Sequence, residues 1–586
     1  MAAYVVALVP ALLMAITQPV WSLVDEAHHA DYIVQLSHGL YPVANMTLID
    51  PETLRVMESS GVFSEFALPG TYPAPDLTDV GTPPTRMSDR ANAAWMRRHL
   101  WQLSSESIQP PLYYLSMVPV WWVADGLGGP FAAIYAIRII SALAIATLAP
   151  MAVAVGRILV PLRPEVAVLS AIFAALLPGL DLNGTRISND AFAIAVGGFV
   201  VLLAVRWVGS PWTWRRAFFI GLTLGAGMLI KVTLVALAPV VLVSALWPAR
   251  TASWRARVVP VLIAGGIAGC CLVPWLLLNI HDYGALMPGP NLRLSDTLPG
   301  PLSAPWIPLN LAVFELTYWS GEPWGALPLA APFAVFGGLL ALMAPVGVVK
   351  VLKDPRSSVS GPAWVAVVAV LGMVAVAMLL PVLAYFEFVA PGRYAYPALP
   401  ALAPLIAIGI CTVLTGAIAR RVAVAAYAVV ALAILVASAA GLPPAATPGT
   451  GTPPPNASVE RVAATGHFQG MAINVDRVAF DPAAGATWFE VTASNSGPDE
   501  AEWTVQPVVT DRDFAVVGDY LKSTHLPGDL DPGHSVTGWL FVPLDPSQLH
   551  GGDPLRLRFS NVAVDNYSRV GDINLDLTVS GLPGKT

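Results

Sequence analysis

Apolar runs separated by short polar links fill the chain up to residue 441. The first run ends at Trp21 and is about 20 residues long, which is enough to cross a bilayer. Further runs follow at roughly 131–156, 165–180, 190–207, 217–230, 232–248, 258–279, 328–349, 362–386, 396–418 and 422–441. The pattern predicts a polytopic α-helical membrane domain, residues 1–442, with about 11 transmembrane helices.

The charges in the links predict which side of the membrane each link faces. Links on one side carry most of the Arg and Lys residues, against only Glu165 and Asp354. Short loops rich in Arg and Lys favour the cytoplasmic side. The links at 181–189, 280–327 and 387–395 are then predicted to lie outside, and 280–327 is a large second outer loop.

The first outer loop is predicted at residues 25–130, with juxtamembrane helices within it. Its segment 111–124 is too short to be an obvious span. An inside N-terminus places this segment in the outer interface, anchored by its aromatic side chains: Tyr113, Tyr114, Trp121 and Trp122. The alternative is an outside N-terminus with 111–124 spanning, which would place Asp25 and Glu26 in the cytoplasm.

The sequence changes character after the last apolar run. Residues 443–458 are rich in Pro, Gly, Thr and Ala, which is typical of an extended linker. Residues 459–586 contain alternating segments such as TWFEVTAS and SVTGWLFVP, separated by turn-forming sequences. They predict an extracytoplasmic all-β domain, an immunoglobulin-like sandwich, in which Trp488, Trp503 and Trp539 are core or edge aromatics rather than a sugar-stacking platform.

Composition excludes several classes of protein. Of the 586 residues, 55% are hydrophobic and 12% are charged, which excludes a soluble globular protein. The net charge of -7 comes without a basic face, so we expect no nucleic-acid partner. The three cysteines lie in apolar runs, which argues against a disulfide framework. The first run lacks a basic n-region, so we interpret it as a retained anchor rather than a signal peptide.

Two adjacent carboxylates, Asp25 and Glu26, stand just after the first apolar run. Carboxylates at the edge of a hydrocarbon layer are costly to desolvate, so they call for an explanation. The following residues predict a short amphipathic helix on the membrane surface, with His29 one turn after Asp25 on the same face. The structural alternative is that the two acids complement the dipole of this helix.

Further polar side chains lie at the predicted outer ends of the helices, and we expect them to gather around one cavity. Such a cavity could hold an anionic lipid head group. Each residue also has a structural interpretation: Arg138 could snorkel or pair within the bundle, Asp190 could cap a helix, and Lys231 could be an interfacial anchor.

A metal site is a further alternative for the start of the first outer loop. The residues that could form one are His28, His29, His38, Glu26 and Asp31. Their spacing matches no zinc signature. We therefore assign no metal and no cofactor, although a divalent cation remains possible.

These features occur in an order that resembles the GT-C superfamily of membrane glycosyltransferases. This group includes protein O-mannosyltransferases, lipid A aminoarabinose transferases and mycobacterial arabinofuranosyltransferases. The similar segments, spread over residues 1 to about 420, are VDEAHHADYIVQLSHG, QPPLYY, IRIISALAIATLAP, ISNDAFAIAV, GLTLGAGMLIKVTLVALAP, WLLLNIHDYGALMP and GRYAYPALPAL. The resemblance implies transfer of a sugar from a polyprenyl-phosphate donor to an acceptor hydroxyl on the outer face, with inversion at the anomeric carbon.

The resemblance also implies roles for particular residues. Asp25 is then the general base, with Glu26 as its neighbour or substitute. Lys231 and Arg393 match basic positions near the donor phosphate. Other predicted substrate- or phosphate-binding residues are Arg138, His29, Tyr113 and Tyr394. No D-x-D motif is evident in the first outer loop.

The sequence thus predicts a glycosyltransferase of a bacterial inner membrane, with multiple spans and an outer β domain. Its expected partners are a polyprenyl-phosphate sugar, an envelope glycan, protein or lipid acceptor, and membrane lipids. Two alternatives are a transport-type protein for lipid-linked glycans, and a non-catalytic scaffold whose β domain binds cell-wall polysaccharide or protein. The long first loop and the β domain depart from better-known members, so the acceptor class stays open.

Overall fold

The structure is a computed structural model, and it describes only part of the chain. The described residues are 1–18, 20–21, 25–44, 47–59, 104–247, 253–287, 306–321, 330–353, 360–384, 392–440, 453–481, 486–498, 501–503, 508–510, 529–530, 532–542, 554–564 and 569–578. Most of the predicted linker, 443–452, lies outside these residues, as do 288–305 and 322–329 at the predicted second outer loop.

Helices make up the described part of the chain before residue 441. The α-helices are α1 Ala2–Thr17, α2 Glu26–Ser37, α3 Pro51–Ser59, α4 Leu112–Ile145, α5 Leu148–Leu159, α6 Pro164–Ala175, α7 Pro178–Gly184, α8 Asp190–Trp207, α9 Trp214–Ile230, α10 Ala238–Leu246, α11 Trp254–Tyr283, α12 Trp306–Ser320, α13 Ala330–Ala341, α14 Ala344–Lys353, α15 Ser360–Ala384, α16 Leu399–Val413 and α17 Ala417–Ala439. Three 3-10 helices lie among them, at Glu106–Ile108, Val232–Leu237 and Gly392–Ala398.

The chain is a multi-pass membrane protein. Among the described residues, seven helices are long and apolar enough to cross a membrane, or eight if the bent pair α6 and α7 forms one crossing. The apolar helices Ala2–Thr17 and Val232–Leu246 are shorter. The count of eleven crossings and the assignment of sides remain predictions.

Helix α4 contains the segment predicted to lie in the outer interface. Its backbone is non-helical at Gly128 and Gly129, so the predicted interfacial segment and the following apolar run are separated by a break. The proposed anchoring role is wrong for three of its four aromatics. Trp122 is exposed, whereas the other three are buried: Tyr113, Tyr114 and Trp121. The reason is that α2 packs along this part of α4.

The described residues after 453 form two antiparallel sheets. The strands are β1 Ser458–Phe468, β2 Met471–Asp481, β3 Ala486–Asn495, β4 Ala501–Trp503, β5 Val508–Thr510, β6 Asp529–Leu530, β7 Ser535–Val542, β8 Pro554–Val564 and β9 Arg569–Thr578. One sheet has the order β1-β2-β3-β7, and the other has the order β5-β8-β4-β6 with β9 paired to β8.

A single hydrophobic cluster joins the two sheets. Side chains such as Phe489 and Val491 of β3 and Leu557 of β8 belong to it. Their alternate positions along each strand explain the alternating sequence pattern. Trp488 is buried in a separate small cluster against Trp539. The immunoglobulin-like sandwich remains a prediction.

Candidate functional site

The carboxylate of Asp190 lies between two cations. One of its oxygens, Oδ1, is 2.5 Å from Nζ of Lys231, and the other, Oδ2, is 3.7 Å from Nε of Arg393. All three side chains are 9–14% exposed. We call Asp190, Lys231 and Arg393 the cation cluster. It brings together two residues predicted to bind phosphate and one that sequence reasoning had weighed as a helix cap.

Three breaks in helical structure position the cation cluster. Asp190 is the first residue of α8. Lys231 follows the last residue of α9 and has an extended backbone before the next 3-10 helix starts. Arg393 lies in the 3-10 helix that precedes α16. Each of the three residues thus lies at or near an end of an α-helix. At these points three distant segments of the chain meet.

Close packing holds the backbone next to Arg393. Gly392 donates its N–H to Oγ1 of Thr317, at 2.8 Å. A Cβ on Gly392 would lie 2.4 Å from the backbone nitrogen of Tyr318, so only glycine fits here. Helix α12 therefore fixes the position from which the Arg393 side chain extends.

The ring of Tyr394 lies beside both cations. Nζ of Lys231 is 4.5 Å from the ring centroid, and Cζ of Arg393 is 5.6 Å from it. These distances are typical of cation–π contacts. The structure thus places Tyr394 with Lys231 and Arg393, as expected for a common site.

His29 and Glu106 lie within electrostatic range of the cation cluster. Nδ1 of His29 is 2.7 Å from the hydroxyl oxygen of Tyr114 and 3.6 Å from Oε2 of Glu106. Burial, together with the charge of Lys231, lowers the pKa of His29 to about 3. His29 is therefore neutral at physiological pH.

Glu106 is an acid that sequence reasoning missed. Burial, followed by the nearby negative charge of Asp25, raises its pKa to about 8. Glu106 thus carries a proton near neutral pH. The available signal was an acid four residues before the PPLYY segment, in the 3-10 helix that precedes α4. The spacing alone does not predict that this part of the chain lies close to the cation cluster.

Asp25 is exposed, in contrast to its neighbours in the site. Its backbone has φ 54° and ψ 1°, in the left-handed region. Asp tolerates this conformation better than most residues. Its carboxylate is accessible and close enough to Glu106 to affect the ionisation of that acid.

Glu26 points into the protein and forms a buried ion pair with Arg138. Both residues are 0% exposed. Arg138 donates from Nε to Oε1 of Glu26 (2.8 Å) and from the guanidinium NH2 to Oε2 (2.7 Å). It also donates to the carbonyl of Gln18 (2.9 Å), while Ile187 donates its N–H to Glu26 (2.9 Å).

This pair corrects two expectations. A carboxylate with both oxygens engaged and no solvent exposure is unsuited to act as a substitute base. A guanidinium that is committed to this carboxylate is likewise unsuited to bind phosphate. For Arg138, pairing within the bundle is the interpretation that the contacts support, so Glu26 and Arg138 hold the start of α2 against α4.

Tyr113 lies in the same packed region. Its ring contacts those of Tyr114 and Phe192, with centroids 5.2 and 5.5 Å away. Its side chain is fully buried. Tyr113 is therefore packed inside the protein rather than at an accessible surface of the site.

Two structural interpretations of the sequence are also wrong. The N-cap residue of α8 is Asn189, and the carboxylate of Asp190 pairs with Lys231 instead. Lys231 is 7% exposed, so it does not extend to the interface as an anchor. The five residues considered for a metal site do not act as one ligand set. Glu26 pairs with Arg138, and His29 contacts Tyr114 instead.

The arrangement combines an anion site with an accessible acid. Two partly buried cations next to a neutral carboxyl group can hold a phosphate, because the low local dielectric strengthens the attraction. An exposed carboxylate nearby can accept a proton. A membrane protein with such a site is suited to react with a substrate that has an anionic head group and a lipid tail.

Comparisons with known proteins gave structural matches alone. No protein-family model and no curated protein matches the chain. One structural match is ArnT from Cupriavidus metallidurans bound to undecaprenyl phosphate, with 14% identity, a TM-score of 0.37 and coverage of 70% of this chain and 59% of that one. Another is the apo oligosaccharyltransferase of Archaeoglobus fulgidus, with 15% identity, a TM-score of 0.36 and coverage of 75% and 54%.

Both matches are GT-C glycosyltransferases, the superfamily that the sequence resembles. The chain spans little more than half the length of these two proteins. Likenesses at TM-scores this low carry no argument about substrate or mechanism.

Proposed function

We propose that the protein is a glycosyltransferase that uses a polyprenyl-phosphate-linked sugar as donor on the outer face of a bacterial inner membrane. The observation that carries this proposal is the sharing of the Asp190 carboxylate by Lys231 and Arg393. Because two positive side chains share a single carboxylate, one positive charge is left to attract a second anion.

The donor phosphate would contact Lys231 and Arg393, partly replacing Asp190 as their partner. A phosphate that departs from a sugar gains negative charge in the transition state, so fixed cations lower the barrier. The neutral carboxyl of Glu106 avoids an additional negative charge beside the phosphate. The polyprenyl chain would extend into the surrounding membrane.

Asp25 would act as general base. The acceptor hydroxyl oxygen attacks the anomeric carbon, the bond from that carbon to the phosphate oxygen breaks, and the polyprenyl phosphate departs with the bonding electrons. The proton of the hydroxyl passes to the carboxylate of Asp25. Attack from the side opposite the phosphate inverts the anomeric centre. Asp25 is the candidate because it is accessible, whereas Glu26 is committed to Arg138.

Sugar transfer by the purified protein tests the proposal. A panel of polyprenyl-phosphate sugars is supplied with envelope glycan, protein and lipid acceptors, and the products are analysed by mass spectrometry. We expect transfer with one donor and a loss of at least about 100-fold in Asp25→Asn, with little change in the control Asp282→Asn. Equal transfer by Asp25→Asn would reject the proposed base.

A further inference from the structure

A second group of polar side chains lies at the opposite end of α2 from Asp25. It consists of His38 after the end of α2, Asp50 before α3, and Glu52 in the first turn of α3. One ligand atom from each residue can be chosen so that all three lie within 4.8 Å of one another. These three residues are called the loop triad. None of them belongs to the cation cluster.

We propose that the loop triad binds a divalent metal ion. Nδ1 of His38 is 2.9 Å from Oδ2 of Asp50, and Nε2 of His38 is 3.6 Å from Oε2 of Glu52. Ligand atoms bound to one zinc ion at about 2.0–2.2 Å lie roughly 3.4 Å apart. A rotation of the His38 ring and a movement of Glu52 would bring the ligand atoms, which lie within 4.8 Å of one another, towards that spacing.

The loop triad combines a fixed ligand with adjustable ones. Asp50 accepts the backbone N–H of Glu52 at Oδ1 (2.8 Å), which leaves Oδ2 directed at His38. The N–H of Asp50 itself is bound by Oδ1 of buried Asp31 at 2.7 Å. The side chains of His38 and Glu52 are 45% and 25% exposed, so they can rotate and an ion can reach them.

Charge favours a cation at this position. The loop triad contains two carboxylates, and Asp125 of α4 lies within electrostatic range of Glu52. Arg55 is the nearby cation on α3, but its Nε donates to the carbonyl of Pro51 at 3.2 Å. A divalent ion would reduce the repulsion between the acids and could take Asp125 as an additional ligand.

The ligand set indicates the class of metal. One imidazole with two or three carboxylates suits Zn²⁺ or Mn²⁺ better than Ca²⁺, which prefers oxygen ligands alone. The ion would join the end of α2 to the start of α3. A competing state without metal has His38 hydrogen-bonded to Asp50 and close to Glu52, and it predicts no saturable metal binding.

The test is metal binding by the full chain without a polyhistidine tag, in lipid nanodiscs. The protein is treated with a chelator, dialysed against Zn²⁺ or Mn²⁺, and its bound metal is measured by elemental analysis. We expect one ion per chain, and an affinity at least tenfold weaker in Asp50→Asn and in Glu52→Gln. Asp50→Asn retains the oxygen that accepts the Glu52 N–H, so the start of α3 is preserved.

A matched control is His281→Ala. His281 pairs with Asp282 at 2.7 Å but lies outside the group that could hold a metal. We expect its affinity to equal that of the unaltered protein. Bound Co²⁺ should also show an absorption spectrum that changes in His38→Ala and not in His281→Ala. Absence of saturable binding, or equal binding by all variants, would overturn the proposal, and neither result depends on sugar transfer.

Discussion

Glu106 sets the charge of the candidate site. Its pKa of about 8 means that the carboxyl group is neutral below that pH and negative above it. His29, with a pKa of about 3, stays neutral throughout this range. Asp25, Asp190, Lys231 and Arg393 are the charged groups that affect the ionisation of Glu106. The net charge of the site therefore becomes more negative as the pH rises through 8.

We expect donor affinity to weaken above pH 8. A polyprenyl-phosphate sugar is a phosphodiester, whose single negative charge is constant across this range. Ionisation of Glu106 would repel it, so the dissociation constant should rise by about threefold or more between pH 7 and pH 9. Donor binding measured by isothermal titration calorimetry in nanodiscs at several pH values checks this.

Glu106→Gln provides the control for this pH dependence. Glutamine keeps the shape of the neutral carboxyl group and cannot ionise. Its donor affinity should be nearly constant between pH 7 and pH 9. If the dissociation constant of Glu106→Gln rises between pH 7 and pH 9 as much as that of the unaltered protein, a group other than Glu106 causes the pH dependence.

At the scale of elements, the Glu26–Arg138 pair holds the first residue of α2 against α4. Asp25 precedes Glu26 directly, so the buried pair also holds the backbone that carries the proposed base. Removing one member of a buried pair leaves an uncompensated charge, which typically costs about 3–5 kcal/mol. Glu26 is thus a positioning residue for Asp25.

We expect Glu26→Gln and Arg138→Met each to lower the free energy of unfolding by about 3–5 kcal/mol. The double variant Glu26→Gln/Arg138→Met should cost less than the sum of the two, because it leaves no unpaired charge. Equilibrium unfolding of the purified variants measures these energies. Full additivity would contradict an energetic coupling between the two side chains.

The contact between Gly392 and α12 positions Arg393. We expect Gly392→Ala to displace Arg393 and reduce donor affinity by about tenfold, since the new Cβ meets backbone rather than a movable side chain. Gly416→Ala is the matched control, because a Cβ there would be 3.8 Å from Ala419. Donor affinity is measured for both variants. A loss in Gly392→Ala alone supports the positioning of Arg393, whereas an equal loss in Gly416→Ala would contradict it.

The helical part and the strands have separate hydrophobic cores. One cluster includes residues from α1 to α17, whereas another includes residues from both sheets. We expect residues 453–586 expressed alone to fold, with a β-type circular dichroism spectrum and a cooperative urea transition. An unfolded spectrum would show that the strands need the membrane domain.

Sequence patterns predicted the large features of the molecule well, because apolar runs and alternating strands depend on local residue order. The length of the apolar runs predicted a multi-pass helical part, and the two-residue alternation predicted a later β region. Convergence of Lys231 and Arg393 was also predicted. Lys231 interrupts two apolar runs, where a cation is costly unless it has a partner, and Arg393 lies in a link predicted to face the same side.

What the sequence did not predict depends on contacts between distant segments. Glu106 and Asp190 lie more than 80 residues apart and enter one site only through the packing of α2, α4 and α8. The Glu26–Arg138 pair spans 112 positions in the chain. Adjacent acids such as Asp25 and Glu26 look equivalent in a sequence, but the turn at Asp25 directs one outward and the other inward.

The central claim is that Lys231 and Arg393 hold the phosphate of a lipid-linked donor. Binding of a polyprenyl phosphate to the protein in nanodiscs, measured by native mass spectrometry, tests it most directly. We predict that Lys231→Met and Arg393→Met each weaken binding at least about tenfold, while Lys350→Met, at the predicted cytoplasmic end, leaves it unchanged. Unchanged binding by both site variants would contradict the account.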